Sequence, residues 1–279
     1  MAEITAKLVN ELRGKTGLGM MECKKALVET SGDVEKAIDF FRKKGVKTSI
    51  TDRAANEGRV NVAVSTDRKR GAIVEINCNT DFTAKSEPLA QIAATAVQKL
   101  LADPSALLAD DPAIREAMVS VAQQTGENVR IGRSATLSSA AGTVGSYIYS
   151  VGGKGKIGVL VAVSGHASED LILNLGVHIA ASRPIAMTRQ EISPQIIARE
   201  KEIAIEQAKS TGKPQQIAEK IADGKMNSFY AEKVLLDQPF ANAEVYKGTV
   251  AEFLKSKGAT LEKYARLEVG QGGEMMNDK

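Results

Sequence analysis

The sequence predicts an α+β fold with three parts. These are a small three-helix amino-terminal module, a core of two related α+β subdomains with antiparallel sheets, and an inserted helical hairpin. Three observations carry this reading. Apolar side chains recur at helical spacing, between glycine breaks, through residues 1–45. Alternating β-branched runs lead into an amphipathic helix twice along the chain. Between residues 188 and 228 the apolar positions thin to a narrow seam among charges, the pattern of a projecting arm.

Residues 1–45 hold three short helices. Ile4, Leu8 and Leu12 stand four apart on one face, and "TGLG" at 16–19 ends that helix. The second carries Met20, Met21, Lys24, Ala26 and Leu27 and stops near Gly32. Asp33 caps the third, with Val34, Ala37, Ile38 and Phe41 inward and Gly45 as its stop. Residues 46–58 have no period and read as a linker.

The first core subdomain spans residues 59–140. "RVNVAVST" alternates, with Val60, Val62 and Val64 on one face. "DRKRG" turns the chain, and "AIVEINC" returns with Val74, Ile76 and Cys78 on one face. Ser86 and Pro88 start a helix lined by Leu89, Ile92, Ala93, Ala96, Val97 and Leu100, which Asp103-Pro104 stops. Asp111-Pro112 opens another, running to Gly126.

"RSATLSS", "TVGSYIYS" and "KIGVLVAVS" then read as three antiparallel strands, and Ser168 caps a helix with Leu171, Leu175, Ile179 and Ala180. Residues 141–187 and 229–270 make the second subdomain, interrupted by the hairpin at 188–228. Ser193-Pro194 opens the hairpin's first helix, "STGKP" turns it, and its second helix ends at Gly224. A helix near 249–257 and a strand at "YARLEVG" complete the core, and residues 271–279 read as a flexible tail.

Composition narrows the function. Lys and Arg are spread along the chain, the net charge is only +3, and aromatics are 4% with no Trp. A basic stripe with stacking rings is therefore not indicated, and direct nucleic-acid binding is not expected. Cys23 and Cys78 lie far apart and outside any CxxC, so neither a disulfide framework nor a zinc site is expected. "MAEITAKLVNEL" has an early acid and no apolar run, so no secretory signal is expected. "IGVLVAV" at 157–163 is too short to span a bilayer. The expectation is a reduced, cytoplasmic protein without a membrane partner.

The motifs of enzyme chemistry are missing their contexts. "GKGKIG" at 153–158 matches GxGxxG but precedes the strand "VLVAV" where a dinucleotide site needs a helix. It is a hairpin turn. Lys156 is followed by Ile157, which excludes a phosphate-binding loop of the GKS/GKT type. His166 sits in a loop, His178 lies on an amphipathic helix, and no nucleophile elbow or paired-acid metal pattern occurs. No catalytic residue, metal or cofactor is assigned, and a non-enzyme is expected.

The stretch "EINCNTDFTAKSEP" at 75–88 is the unusual one. Phe82 stands between Asp81 and Thr83 after the strand has ended, among Asn, Thr and Lys. Two uses are open. The ring plugs this chain's own core, with Asp81 as a cap, and burying it contributes ~1.5–3 kcal/mol. Alternatively its apolar partners are another protein's.

"TGLGMMECKKALVETSGDVEKAIDFFRKKG" at 16–45 closely resembles the amino-terminal module of the bacterial elongation factor Ts family, and "EINCNTDFTA" resembles its Thr-Asp-Phe-Val segment. "GKIGVLVAV", "VHIAASRP", "GKPQQIAEKIADGKM" and "LLDQPF" resemble its later motifs, in order, over about residues 1–270. The resemblance implies a guanine-nucleotide exchange factor for the GTPase elongation factor Tu, acting in translation elongation with a UBA-like first module.

It also implies site residues. Thr80, Asp81, Phe82 and Thr83 form a wedge that dislocates Mg²⁺, and Leu12, Met20 and Met21 are apolar contacts of the first module. Lys24 and Lys25 lie at the rim or in solvent, and His178 is a further contact. Two departures stand out. Thr83 replaces the family's valine, which would shorten the apolar wedge, and Tyr149 replaces a family histidine. A ribosome- or RNA-associated binding protein is the alternative, distinguished by binding that falls steeply with salt. Pairing of two copies through the hairpin stays open.

Overall fold

The computed structural model describes residues 4–16, 18–44, 55–212 and 214–271. The expected stop at Gly45, most of the linker at 46–58 and most of the tail at 271–279 lie outside the described residues. Within them the protein is α+β, with two antiparallel three-stranded sheets.

The first module consists of α1 (Ala6–Thr16), α2 (Met20–Glu29) and α3 (Val34–Lys43). Its small core gathers Val9, Leu12, Cys23, Ala26, Leu27, Ala37 and Phe41. Helix α2 stops at Glu29, just ahead of Gly32, and the Thr30 hydroxyl donates back to the Ala26 carbonyl at 2.8 Å. Asp33 accepts the Lys36 N–H at 3.0 Å, the cap expected for α3.

In the core, β1 (Glu57–Val64) and β2 (Arg70–Cys78) pair antiparallel with Val60 opposite Glu75. A short helix α4 (Asp81–Lys85) follows, then α5 (Glu87–Ala102), α6 (Pro112–Thr125) and β3 (Arg130–Ser138). The sequence grouping of "RSATLSS" with the two strands after it is corrected here. Strand β3 turns back onto β2, with Thr136 opposite Ala72, and the first sheet has the order β1-β2-β3. Strand pattern alone does not choose between the two neighbours; the chain leaves β2, passes through α5 and α6, and comes back to pair with it.

The second sheet has β4 (Thr143–Val151) and β5 (Lys154–Gly165) as a hairpin, followed by α7 (Glu169–Ser182). The arm is α8 (Pro194–Ser210) and α9 (Gln215–Lys233); α10 (Val250–Ser256) and β6 (Ala259–Glu268) close the order β4-β5-β6. Ala204, Ala208, Ala218, Ala222 and Met226 are buried in α8 and α9. Helix α9 does not end at Gly224 as expected. It continues to Lys233, carrying Phe229 and Tyr230 onto a cluster of Ala186, Ile192 and Val234. A helical glycine costs ~1 kcal/mol, and that packing outweighs it.

The layers run helix, sheet, sheet, helix. Ala63, Ala72, Val74, Ile76 and Cys78 meet Leu89, Ile92, Ala96 and Leu100 of α5. Val60 and Ile73, on the other face, meet Leu160, Ala265 and Leu267 of the second sheet. Val159, Val161 and Val163 face outward to Leu171, Leu175 and Ile179 of α7 and to Phe253. Gly158 permits this approach, because a Cβ there would lie 2.6 Å from Val60 Cγ1 and 2.7 Å from Ile73 Cδ1. An ionic strap crosses at one edge. The buried Glu75 accepts from Arg133 Nε at 2.8 Å, and Arg133 Nη2 donates to the Glu268 carbonyl of β6 at 2.6 Å.

Candidate functional site

The corner after β2 is built by capping. Thr80 has extended backbone, and its Oγ1 accepts the Thr83 N–H at 3.3 Å, which starts α4. Ser86 ends α4 and caps α5, accepting the Leu89 N–H at 3.4 Å. Five residues of helix have only one inward face, and Thr83 and Ala84 occupy it, both buried. Asp81 and Phe82 are thereby turned the other way. Phe82 is 84% exposed. The core-plug use of this ring is therefore excluded, and ~1.5–3 kcal/mol of possible burial is left unused by this chain.

Thr83 answers the question its substitution raised. Its hydroxyl points inward and donates to Glu127 Oε1 at 2.8 Å. A valine here would also face inward, so the threonine does not shorten the exposed wedge. Thr80 donates to the same carboxylate, and its side chain is only partly exposed. On the outer side, Asp81 Oδ2 accepts from Lys85 Nζ at 2.6 Å, and that ammonium holds its carboxyl below the usual range.

The tip of the β4–β5 hairpin stands beside the corner. A Cβ on Gly152 would come within 2.9 Å of Lys85 Cε. Glu57, Asp81, Lys85, Val151, Lys154 and Lys156 line a shallow pocket of about 240 Å³. Lys154, although nearly buried, is neutralised by Glu57 at 2.8 Å, which ties the hairpin to β1. Ile148, Tyr149 and Val151 of β4 are exposed large apolar side chains, so the family-histidine position presents a phenol ring to solvent.

The remaining predicted residues divide. Met20 and Met21 are 52% and 66% exposed on α2, with Lys24 and Lys25 also exposed. Val28 joins Met21 on this helix at 57% exposed and was not singled out by sequence, although its i+7 spacing from Met21 is a readable signal. Leu12 has no exposed surface. In place of a surface contact it holds α1 to α2 in the module's core, because so small a core needs every apolar residue on its inward stripe.

His178 is likewise sealed. Its ring stacks on Phe240 at 5.3 Å between centroids, Nδ1 accepts the Ala241 N–H at 3.0 Å, and Nε2 lies 2.9 Å from Gln238 Oε1. This pairing makes Nε2–H the donor and the ring neutral, and burial lowers its pKa below the ordinary value despite the bond to Gln238. His178 braces the segment after α9 and offers no atom to a partner's surface. Sequence reasoning also missed Glu127. It directly follows the helix-ending Gly126, and nothing local indicates that its side chain reaches the end of β2.

Among the described residues no group of three or more His, Cys, Asp or Glu is placed to hold a metal ion. Among them, too, no helix is long and apolar enough to cross a membrane. Both cysteines are free and buried, and burial pushes the Cys78 thiol up to about 12.

Comparison with known proteins gives one family. A sequence model of the family described as "Elongation factor TS" matches residues 79–271. The chain is 43% identical to a protein named elongation factor Ts from Hyphomonas neptunium, over 100% of this chain and 96% of that one. It is 40% identical to the protein of that name from Methylococcus capsulatus and 41% to that from Thioalkalivibrio sulfidiphilus, each over 97% of this chain and 94% of the relative.

Proposed function

This chain belongs to the elongation factor Ts family, whose members serve translation elongation, and on that premise we propose that it is a guanine-nucleotide exchange factor for elongation factor Tu. It binds the GDP-bound GTPase, inserts Phe82 beside the nucleotide site, and promotes release by disturbing the Mg²⁺ and phosphate contacts. It makes no bond in its substrate and works in the cytoplasm.

The observation that supports this reading is the outward Phe82, 84% exposed on a helix whose other face is anchored. A large ring left in water is an anchor for a partner's pocket. Asp81 beside it carries a negative charge that competes for donors and metal on the partner once Lys85 is displaced. Met20, Met21 and Val28 supply a second apolar patch on the first module, rimmed by Lys24 and Lys25.

Energetically the factor need only favour the nucleotide-free GTPase over the loaded one. Accelerating release about a thousandfold lowers the barrier by ~4 kcal/mol. Linkage then requires that GDP weaken the factor's hold on the GTPase by the factor by which the chain weakens GDP binding.

The test is release of a fluorescent GDP from purified elongation factor Tu with increasing amounts of this chain. Release should accelerate, and excess GDP should dissociate the complex of the two proteins. A release rate independent of the chain, with a complex indifferent to GDP, sinks the proposal.

A further inference from the structure

We propose that Glu127 is a positioning residue for nucleotide release: its carboxylate gathers the chain on both sides of Phe82 and sets the angle at which the ring is presented. This rests on the reading of Phe82 as the exchange wedge.

The geometry is specific. Helix α6 ends at Gly126, whose φ of 72° reverses the chain, and the Glu127 N–H is held by Thr125 Oγ1 at 3.2 Å. From there the side chain reaches the end of β2. Its Oε2 accepts the backbone N–H groups of Asn79 and Thr80, both at 3.0 Å. Its Oε1 accepts the hydroxyls of Thr80 at 2.5 Å and Thr83 at 2.8 Å. A reciprocal bond runs from the Asn128 N–H to Asn79 Oδ1 at 2.6 Å. The four donors to Glu127 come from residues immediately before and after Asp81-Phe82.

Phe82 needs such an anchor. Being 84% exposed, the ring has little packing of its own to orient it. A five-residue helix is too short to be stable alone, since the first turn is the costly one to form. The direction of Cα–Cβ at Phe82 is thus set by how firmly α4's first turn is held, and Glu127 holds it from the side opposite the ring. A ring already aimed loses less conformational freedom on entering a partner's pocket than one that must first be ordered.

Two donors to the carboxylate are hydroxyls, which also accept hydrogen bonds, and two are backbone N–H groups, which cannot. A glutamine can therefore turn its oxygen to the N–H pair and its NH₂ to the hydroxyls. Glu127→Gln should keep the corner. Glu127→Ala removes it, and Glu127→Asp, one methylene shorter, cannot span all four donors.

The experiment measures GDP release from elongation factor Tu under saturating and limiting full-length variant, with Phe82→Ala as the reference. Glu127→Ala is expected to slow release at saturation about tenfold, because small misplacements of a reacting or inserting group cost up to about a hundredfold. Glu127→Gln should restore it to within about threefold, since it can satisfy the same donors. Amide exchange at residues 79–84 should rise in the alanine variant and not in the glutamine one, with the sheet amides unchanged. Should Glu127→Ala not fold, Glu127→Asp carries the same comparison.

Wild-type release by Glu127→Ala (or by Glu127→Asp in its place) while Phe82→Ala is slow overturns the role of Glu127 and leaves the wedge intact. Unchanged release by Phe82→Ala overturns the wedge itself. A loss in Glu127→Ala that only tracks a lower melting temperature, and that the glutamine does not rescue, marks Glu127 as a stabiliser and also overturns the proposal.

Discussion

Removing the ring of Phe82 separates two energies that usually travel together. The side chain is 84% exposed, so only about a sixth of it contributes to this chain's own core. At ~1.5–3 kcal/mol for a fully buried Phe, Phe82→Ala then costs the fold only ~0.2–0.5 kcal/mol. The exposed remainder is what a partner pocket would cover, and losing it there costs ~1.3–2.5 kcal/mol, about ten- to seventyfold in a rate or affinity.

The predicted outcome is a nearly unchanged urea midpoint with catalysed GDP release about ten- to seventyfold slower, and uncatalysed release unaltered. Stopped-flow fluorescence with labelled GDP on elongation factor Tu, paired with urea unfolding of the variant alone, reads both. If the midpoint falls by more than ~1 kcal/mol equivalent, the ring packs more than its exposure indicates. If release remains within twofold (about 0.4 kcal/mol) of wild type while the variant is folded, the wedge argument is refuted.

Other consequences are smaller. Thr83→Val should cost ~0.5–1.5 kcal/mol of stability, for one lost buried hydrogen bond. Release should stay near wild type, because Glu127 keeps three of its donors and the side chain at position 83 is buried and turned inward; a large gain in release would show that the side chain does reach out. Gly224→Ala, in the interior of α9 with nothing within 4 Å of its would-be Cβ, should stabilise by ~0.5–1 kcal/mol in thermal unfolding; a loss would mean that the helix is broken there.

His178 adds a pH term. Its folded pKa is lowered, so its contribution is fully present above the unfolded value near 6.5 and is lost as pH falls through the native one. The urea midpoint should drop between pH 7.5 and 5.5, and a His178→Asn variant should show a shallower drop across the same range.

The sequence by itself determined most of what depends on residues within about four positions of each other, although Gly224 does not end α9. Ser86, Asp111, Ser168 and Ser193 each cap the helix expected of them, and Gly126 ends α6 in the left-handed conformation. "GKGKIG" is the turn and start of a β hairpin, because the strand after it is written in its own alternation. These are short-range hydrogen bonds and periodicities, and they survive any arrangement of the rest.

Only the tertiary structure decided what depends on closure of the chain. Strand β3 carries the same pattern whether it pairs with β2 or β4, and its pairing with β2 appears only once the chain has crossed back through α5 and α6. Leu12 and His178 could serve a core or, as the family resemblance implied, a surface contact until their surroundings close over them. Phe82 had the same ambiguity and the opposite resolution, because Thr83 and Ala84 fill the one inward face of α4. Glu127 lies 44 residues beyond Thr83 and gives no local sign of its role, since hydrogen bonds across that span exist only once two sheets and their helices have assembled.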